Sequence, residues 1–218
     1  MGYNVAIDGP AGAGKSTIAK LVAKEKGYIY VDTGAMYRGM AIHFLDKGIR
    51  AEETDKIVNA LKDAEVTIRY EEGLQQVYLN GRNIMDRLRE EAVGKMASLT
   101  SAIPQVRQKL LELQKGLART QDVIMDGRDI GTCVLPDADV KIYLTASVET
   151  RAKRRYDELT EKGIACDLNE IARDIKERDE RDSTREIAPL KQAEDAVLVD
   201  SSHMTIEEVV AAIVKLCR

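Results

Sequence analysis

Residues 9–17 read Gly9-Pro10-Ala11-Gly12-Ala13-Gly14-Lys15-Ser16-Thr17, which fits the pattern GxxxxGK(S/T). The apolar run Val5-Ala6-Ile7 precedes it, and Ile18-Ala19-Lys20-Leu21-Val22, with helical spacing, follows. A strand, a glycine loop and a helix in that order are the setting this pattern requires. Glycines let successive N–H groups turn inward, and the helix N-terminus adds partial positive charge, so the loop is built for phosphate. Lys15 can reach the β- and γ-phosphates, and the Ser16 hydroxyl can ligate Mg²⁺. A glycine-rich turn can precede a helix for structural reasons alone. The agreement of strand, loop, Lys-Ser pair and helix favours a bound nucleotide, contacted by residues 9–17.

The rest of the chain extends that unit. Strand-like runs at 3–8, 28–32, 122–126, 140–145 and 196–200 are short, rich in β-branched residues and end near acidic groups. Helical patterns at 15–26, 35–47, 54–64, 103–119 and 206–216 lie between them. Alternation of this kind predicts an α/β fold, a five-stranded parallel sheet with helices on both faces. Ligands in such sheets sit at the carboxyl ends of strands, where Asp8, Asp32 and Asp126 fall. Residues 103–119 carry a stripe of Ile103, Val106, Leu110, Leu113 and Leu117. Alternation at Val66, Ile68 and Tyr70, and again at Val77 and Leu79, with Glu71-Glu72-Gly73 between them and Asn80-Gly81 after, predicts a small antiparallel insert at 65–84.

Composition narrows the function. The chain has 218 residues, 44% apolar, with one Phe and no Trp, so its core must be mostly aliphatic. A formal charge of −4 without a basic terminal arm argues against a nucleic-acid or anionic-membrane binder. Cys133, Cys166 and Cys217 are odd in number and widely spaced, which indicates neither a zinc site nor a disulfide framework. His43 and His203 stand apart as structural or surface residues. With a strand at the start and no long apolar run, a cytoplasmic protein without a membrane span is expected, and a monomer in the absence of a coiled coil.

No Asn-Lys pair occurs, which removes the guanine-reading motif of GTPase switches. Residues 151–191 hold seven arginines, at 151, 154, 155, 173, 178, 181 and 185. On a helix near 168–185, Ile171 and Ile175 mark an apolar face that steps of seven, eleven and fourteen continue to Arg178, Asp182 and Arg185. Charges on a core-directed face need a partner, and a bound nucleotide is one. A solvated ladder containing Arg178–Asp182 is the alternative. Arg151 and Arg155 form a like-charge i,i+4 pair that a triphosphate would bridge. The run Val123-Ile124-Met125-Asp126-Gly127-Arg128-Asp129-Ile130-Gly131 places Asp126 where a strand-end carboxylate supports Mg²⁺, often through water, with Arg128 at the same mouth.

Together with Asp32-Thr33-Gly34-Ala35-Met36-Tyr37-Arg38, Asp126–Thr132 and the 178–185 and 188–190 stretches, the chain resembles the nucleoside monophosphate kinases, most closely the bacterial-type cytidylate kinases. The likeness spans essentially the whole chain. It implies a transferase, part of pyrimidine metabolism, that moves the ATP γ-phosphoryl to CMP or dCMP. By resemblance Thr33, Arg38 and Arg128 hold the acceptor phosphate, with Thr33 where the family often has Ser. Ser98, Arg107 and Asp129 read cytosine, and Asp182 and Arg185 hold ribose and base. Lys15, Arg155, Arg178 and Arg181 act on the transferring phosphoryl, Arg151 lies near adenine or the phosphates, and Ser16 and Asp126 serve the metal. Adenylate kinases usually carry a DGFPR-like turn where this chain has DGRDIG. The implied organisation is one domain, with its core at about 1–32, 120–150 and 190–218. A monophosphate-binding region spans about 33–100, and a helical lid about 150–185. Another small-molecule kinase of the UMP/CMP, adenylate or shikimate type, or a non-catalytic ATP switch, are the competing readings.

Overall fold

A computed structural model describes residues 2–218. In chain order the elements are β1 (Asn4–Asp8), α1 (Lys15–Lys26), β2 (Ile29–Asp32), α2 (Thr33–Asp46), α3 (Thr54–Ala60), β3 (Val66–Glu71), β4 (Leu74–Leu79) and β5 (Arg82–Asn83). They continue with α4 (Glu91–Thr100), α5 (Pro104–Thr120), β6 (Val123–Gly127), β7 (Val140–Thr145), α6 (Val148–Glu161), α7 (Leu168–Thr184), β8 (Val197–Asp200) and α8 (Ile206–Val214). The five-stranded parallel sheet has the order β2-β6-β1-β7-β8, and β3-β4-β5 form a separate antiparallel sheet. The expected fold class is the observed one. The chain divides into two compact units, Ile29–Val123 with Gly2, and Tyr3–Tyr28 with Ile124–Arg218.

In the second unit β1 pairs parallel with β7, Ile7 opposite Ile142, and β7 with β8, Leu144 opposite Val199. Val5, Ala6 and Ile7, and Val123, Ile124 and Met125, are buried. Unbroken apolar runs of this kind suit strands covered on both faces. Helix α1 buries Ile18, Ala19, Val22 and Ala23 and ends on Gly27 at φ 71°, whose N–H donates to the Ala23 carbonyl. Helices α6 and α7 pack on one another. Thr205 and Glu208 cap α8 reciprocally.

In the first unit β3 and β4 pair in register, Val66 with Leu79 and Ile68 with Val77, through the turn Glu72-Gly73 at φ 53° and 77°. Two left-handed residues give a turn whose twist matches a tight hairpin. Helix α2 lies against this sheet: a side chain at Gly39 would meet Val66 and Ile84 at 3.3 and 3.4 Å.

Three local expectations differ. Helix α2 starts at Thr33, not at residue 35, because the Asp32 carboxylate caps it by accepting from the Ala35 N–H at 2.9 Å. Helix α4 was not expected; it is short and lacks a side-chain cap. On α5 the buried ridge is Val106, Leu110, Gln114 and Ala118, at steps of four, while Leu113, Leu117 and Ile103, just ahead of the helix, are half-buried. Among the described residues no helix is long and apolar enough to cross a membrane.

Candidate active site

The loop after β1 is shaped by glycines. A Cβ at Gly9 would lie 1.9 Å from the Leu144 carbonyl oxygen, so the chain passes β7 only without a side chain. Gly14 occupies the cap position of α1 at φ 85° and supplies no side-chain cap. The first-turn amides are thus left for an external acceptor. Lys15 is buried, and its Nζ donates to the Pro10 carbonyl at 2.7 Å. Burial pulls its ammonium well below the ordinary lysine range, and the Arg128 guanidinium pushes the same way, with Arg178 adding a smaller push. Asp126 and Asp8 oppose them. Three cations around one point are a poor arrangement on their own and a good one around an anion.

The Ser16 hydroxyl donates to Asp126 Oδ2 at 2.8 Å, and Asp126 is buried. A hydroxyl and a carboxylate side by side are the hard oxygen donors that suit Mg²⁺ beside a triphosphate. These residues fit that ion.

Beyond β6, Arg128 Nε donates to Asp182 Oδ2 of α7 at 3.0 Å. Arg178 stands 4.0 Å from the same oxygen, so Asp182 pairs first with Arg128. Arg185, at the end of α7, reaches Asp129 at 3.4 Å, both side chains being largely buried. The charged end of α7 is therefore brought to the DGRDIG turn. Residues 130–134 form one π-turn. The amides of Ile130 and Gly131 each donate to Asp8, one to each carboxylate oxygen, at 2.7 Å.

Arg151 is buried, unlike its expected partner. Its Nε donates to the Ala146 carbonyl at 2.8 Å, and one terminal nitrogen donates to the Ala11 carbonyl at 2.9 Å and to Asp179 at 2.6 Å. Asp179 also accepts from the Ala11 N–H at 3.3 Å. Arg151 thus ties the phosphate loop to α7. Arg155 instead pairs with Glu158 at 2.8 Å and is half-exposed, and Arg181 is exposed on α7. Asp179 and Arg154, which donates to the Ser201 carbonyl at 2.8 Å, were not given site roles from the sequence, and Asp8 was placed only among the strand-end carboxylates, not on the turn it caps. Their partners lie far along the chain, and no local spacing announces them.

The first unit holds Thr33, Arg38, Ser98 and Arg107. Thr33 is buried at the first position of α2. Arg38 folds back toward Gly34, where an added Cβ would lie 3.6 Å from its guanidinium. The Arg107 guanidinium sits 5.8 Å from the Tyr37 ring centroid and donates to the Ser101 carbonyl, while the Ser101 hydroxyl donates to the Ser98 carbonyl. Gln75 of β4 clamps both backbone groups of Asp32, at 2.9 and 3.1 Å, just ahead of Thr33.

A phosphate loop with a buried lysine, a Ser–Asp oxygen pair and a helical hairpin carrying arginines define a P-loop kinase, an ATP-dependent phosphoryl transferase for small acceptors. Within that class the chain belongs to the cytidylate kinase family, whose profile matches residues 5–218. It is 51% identical over 213 residues to a cytidylate kinase of Caldicellulosiruptor saccharolyticus, covering 98% of this chain and 94% of the relative. It is 49% identical over 212 residues to a cytidylate kinase of Lactobacillus johnsonii, covering 97% and 92%. A solved structure of an uncharacterized protein from Eubacterium ventriosum is similar in fold, with a TM-score of 0.54 at 11% identity over 98% of this chain and 96% of that one.

Proposed function

We propose that this protein transfers the γ-phosphoryl of ATP to CMP and dCMP, giving CDP or dCDP and ADP. The observation that carries the reading is the crowding of Arg128 and Arg178 around the buried Lys15, at the N-terminus of α1. Asp182 pairs with Arg128, and Asp126 and Asp8 offset part of the charge at Lys15; a bound polyanion would add to that neutralisation. The acceptor is a phosphate monoester whose second pKa is about 6, so near neutral pH it is already a nucleophile. Catalysis then needs alignment and charge neutralisation and no general base.

A hydroxyl acceptor would need a carboxylate base. Asp8 is unsuited to that work, since both its oxygens accept backbone N–H bonds. Asp32 is engaged as the cap of α2. The double engagement of Asp8 weighs against it as that base, while the cap takes up one oxygen of Asp32.

In the roles carried from the family, residues 9–17 and Arg151 serve ATP. Lys15, Arg155, Arg178 and Arg181 neutralise the phosphoryl in transfer. Arg151 serves ATP through the loop it anchors. Thr33, Arg38 and Arg128 hold the CMP phosphate, and Ser98, Arg107, Asp129, Asp182 and Arg185 hold the nucleoside. Asp129 would accept from the exocyclic amine of cytosine. Uracil offers a carbonyl there, leaving a buried acceptor facing an acceptor, which is how a site rejects an analogue. Mg²⁺ held by Ser16 and Asp126 would supply positive charge to the triphosphate. The enzyme is taken to act as a cytoplasmic monomer without nucleic-acid or membrane partners.

The test is an ADP-release assay over CMP, dCMP, UMP, AMP, GMP and shikimate. CMP and dCMP are expected to turn over fastest. Strong turnover of AMP or shikimate with none of CMP overturns the acceptor, and ATP binding without turnover on any acceptor supports a switch.

A further inference from the structure

The π-turn at 130–134 begins with amides that have no carbonyl ahead of them in the turn. Asp is among the residues that usually cap such amides with their own side chain. Asp129 stands in the cap position, at φ −148° and ψ 28°, yet makes no side-chain cap bond. Its carboxylate is turned instead to Arg185, at 3.4 Å. Asp8, more than 120 residues earlier, takes over the capping, with one oxygen on each amide at 2.7 Å. The approach is close. A Cβ at Gly131 would stand 3.4 Å from Asp8 Oδ2 and 3.1 Å from Cδ of Lys141, whose head is held by Asp195.

We infer that Asp8 is the positioning residue of the acceptor-reading turn: by capping Ile130 and Gly131 it releases the Asp129 carboxylate to read the base. Asp8 also ends β1, immediately before Gly9. One buried carboxylate therefore joins the start of the phosphate loop to the turn that carries Arg128 and Asp129. The inference rests on the proposed roles of Arg128 and Asp129 toward CMP. Asp8 touches no reacting atom in this account. In Asp8→Asn one oxygen becomes an amide donor that faces a backbone N–H. The freed turn would then recruit Asp129 as its cap and withdraw it from the base.

The experiment measures kcat/KM for CMP and UMP, and KM for ATP, in the full chain and in Asp8→Asn, Gly131→Ala and Asp129→Ala, with folding checked by circular dichroism. The CMP:UMP ratio of kcat/KM is expected to fall about tenfold in Asp8→Asn. KM for ATP should shift by less than about twofold, because the amides after Gly12 are untouched. A purely structural role would lower both substrates' turnover together and leave the ratio alone, and that result overturns the inference. An equal rise in KM for ATP overturns it as well. Should Asp8→Asn fail to fold, Gly131→Ala decides: it keeps Asp8 but pushes the turn away from it, and the ratio must still fall. Asp129→Ala separates the two layers. If it leaves the ratio unchanged, base reading by Asp129 fails and the role of Asp8 fails with it. If Asp129→Ala lowers the ratio and Asp8→Asn does not, base reading stands and the role of Asp8 is overturned.

Discussion

Lys15 and Asp8 are neighbours in field and opposite in demand. Each is buried, and each has its charged form penalised by burial. For Lys15 the ammonium gives its Nζ to a loop carbonyl and is crowded by arginines, so the lysine serves the ligand more than the fold. Lys15→Ala is expected to lower kcat by about a thousandfold. The melting temperature should stay at or above that of the parent, and thermal denaturation beside the ADP assay checks both. Asp8 shifts in the opposite direction. Burial lifts its carboxyl from 3.8 to about 6, against the pull of the Gly131 and Ile130 amides. The native state therefore holds that proton more tightly than the unfolded chain. The contribution of Asp8 to stability is full below the unfolded value and is lost as pH rises through about 6, about 3 kcal/mol in all. Urea unfolding of the parent and Asp8→Asn at pH about 4.5 and about 7 should show the parent gaining on the variant at the lower pH. A difference between the two that does not change with pH would refute that assignment.

Elements are placed by a few side chains that bind backbone. Arg151 of α6 holds the carbonyls of Ala146 and Ala11 together with Asp179 of α7, so one guanidinium ties three segments of the second unit. Arg151→Met is expected to cost about 3 kcal/mol, because it strands two carbonyls and a carboxylate. Asp179→Asn should cost less, since the amide oxygen can still accept from Ala11. Urea denaturation of the two variants measures the difference, and equal costs would mean that Asp179 matters as much as the guanidinium. In the first unit Gln75 clamps Asp32 from β4 and thereby sets the start of α2. Gln75→Ala should raise KM for CMP severalfold while KM for ATP stays put; matching rises in both would show a general loosening. Such ties were not legible in the sequence. The spacing of Ile171, Ile175 and Arg178 points to a face of α7, but not to Asp179 beside it as the residue that meets the loop. The cap of α2 was equally hidden, because Asp32 read as a strand-end carboxylate. The π-turn leaves no periodic trace, and α4 is too short and too weakly capped to announce itself.

The whole chain carries a formal charge of −4, yet the proposed ligands are polyanions. Binding is reconciled with that charge by local concentration of cations, with Arg128 and Arg178 both acting on Lys15 in the second unit. Such attraction is screened where it reaches solvent, so raising salt from about 0.05 to about 0.5 M should raise KM for ATP severalfold. Initial-rate assays over that range check it, and a flat response would place the affinity in hydrogen bonds rather than in field. The alternation of strands and helices apart from α4, the antiparallel insert and the phosphate loop were readable from the chain, because each depends on neighbours within a few residues: alternation, helical spacing, glycines before a Lys-Ser pair. The family was readable too, from stretches that stand together only in such kinases. What the fold alone decided is which charges meet. Asp182 chose Arg128 over the arginine one turn away, Arg151 turned inward while Arg155 found Glu158, and Asp8 capped a turn far along the chain. Local pattern sets backbone geometry residue by residue, whereas pairing of buried charges follows distance in space, and that distance exists only once the strands have been laid side by side.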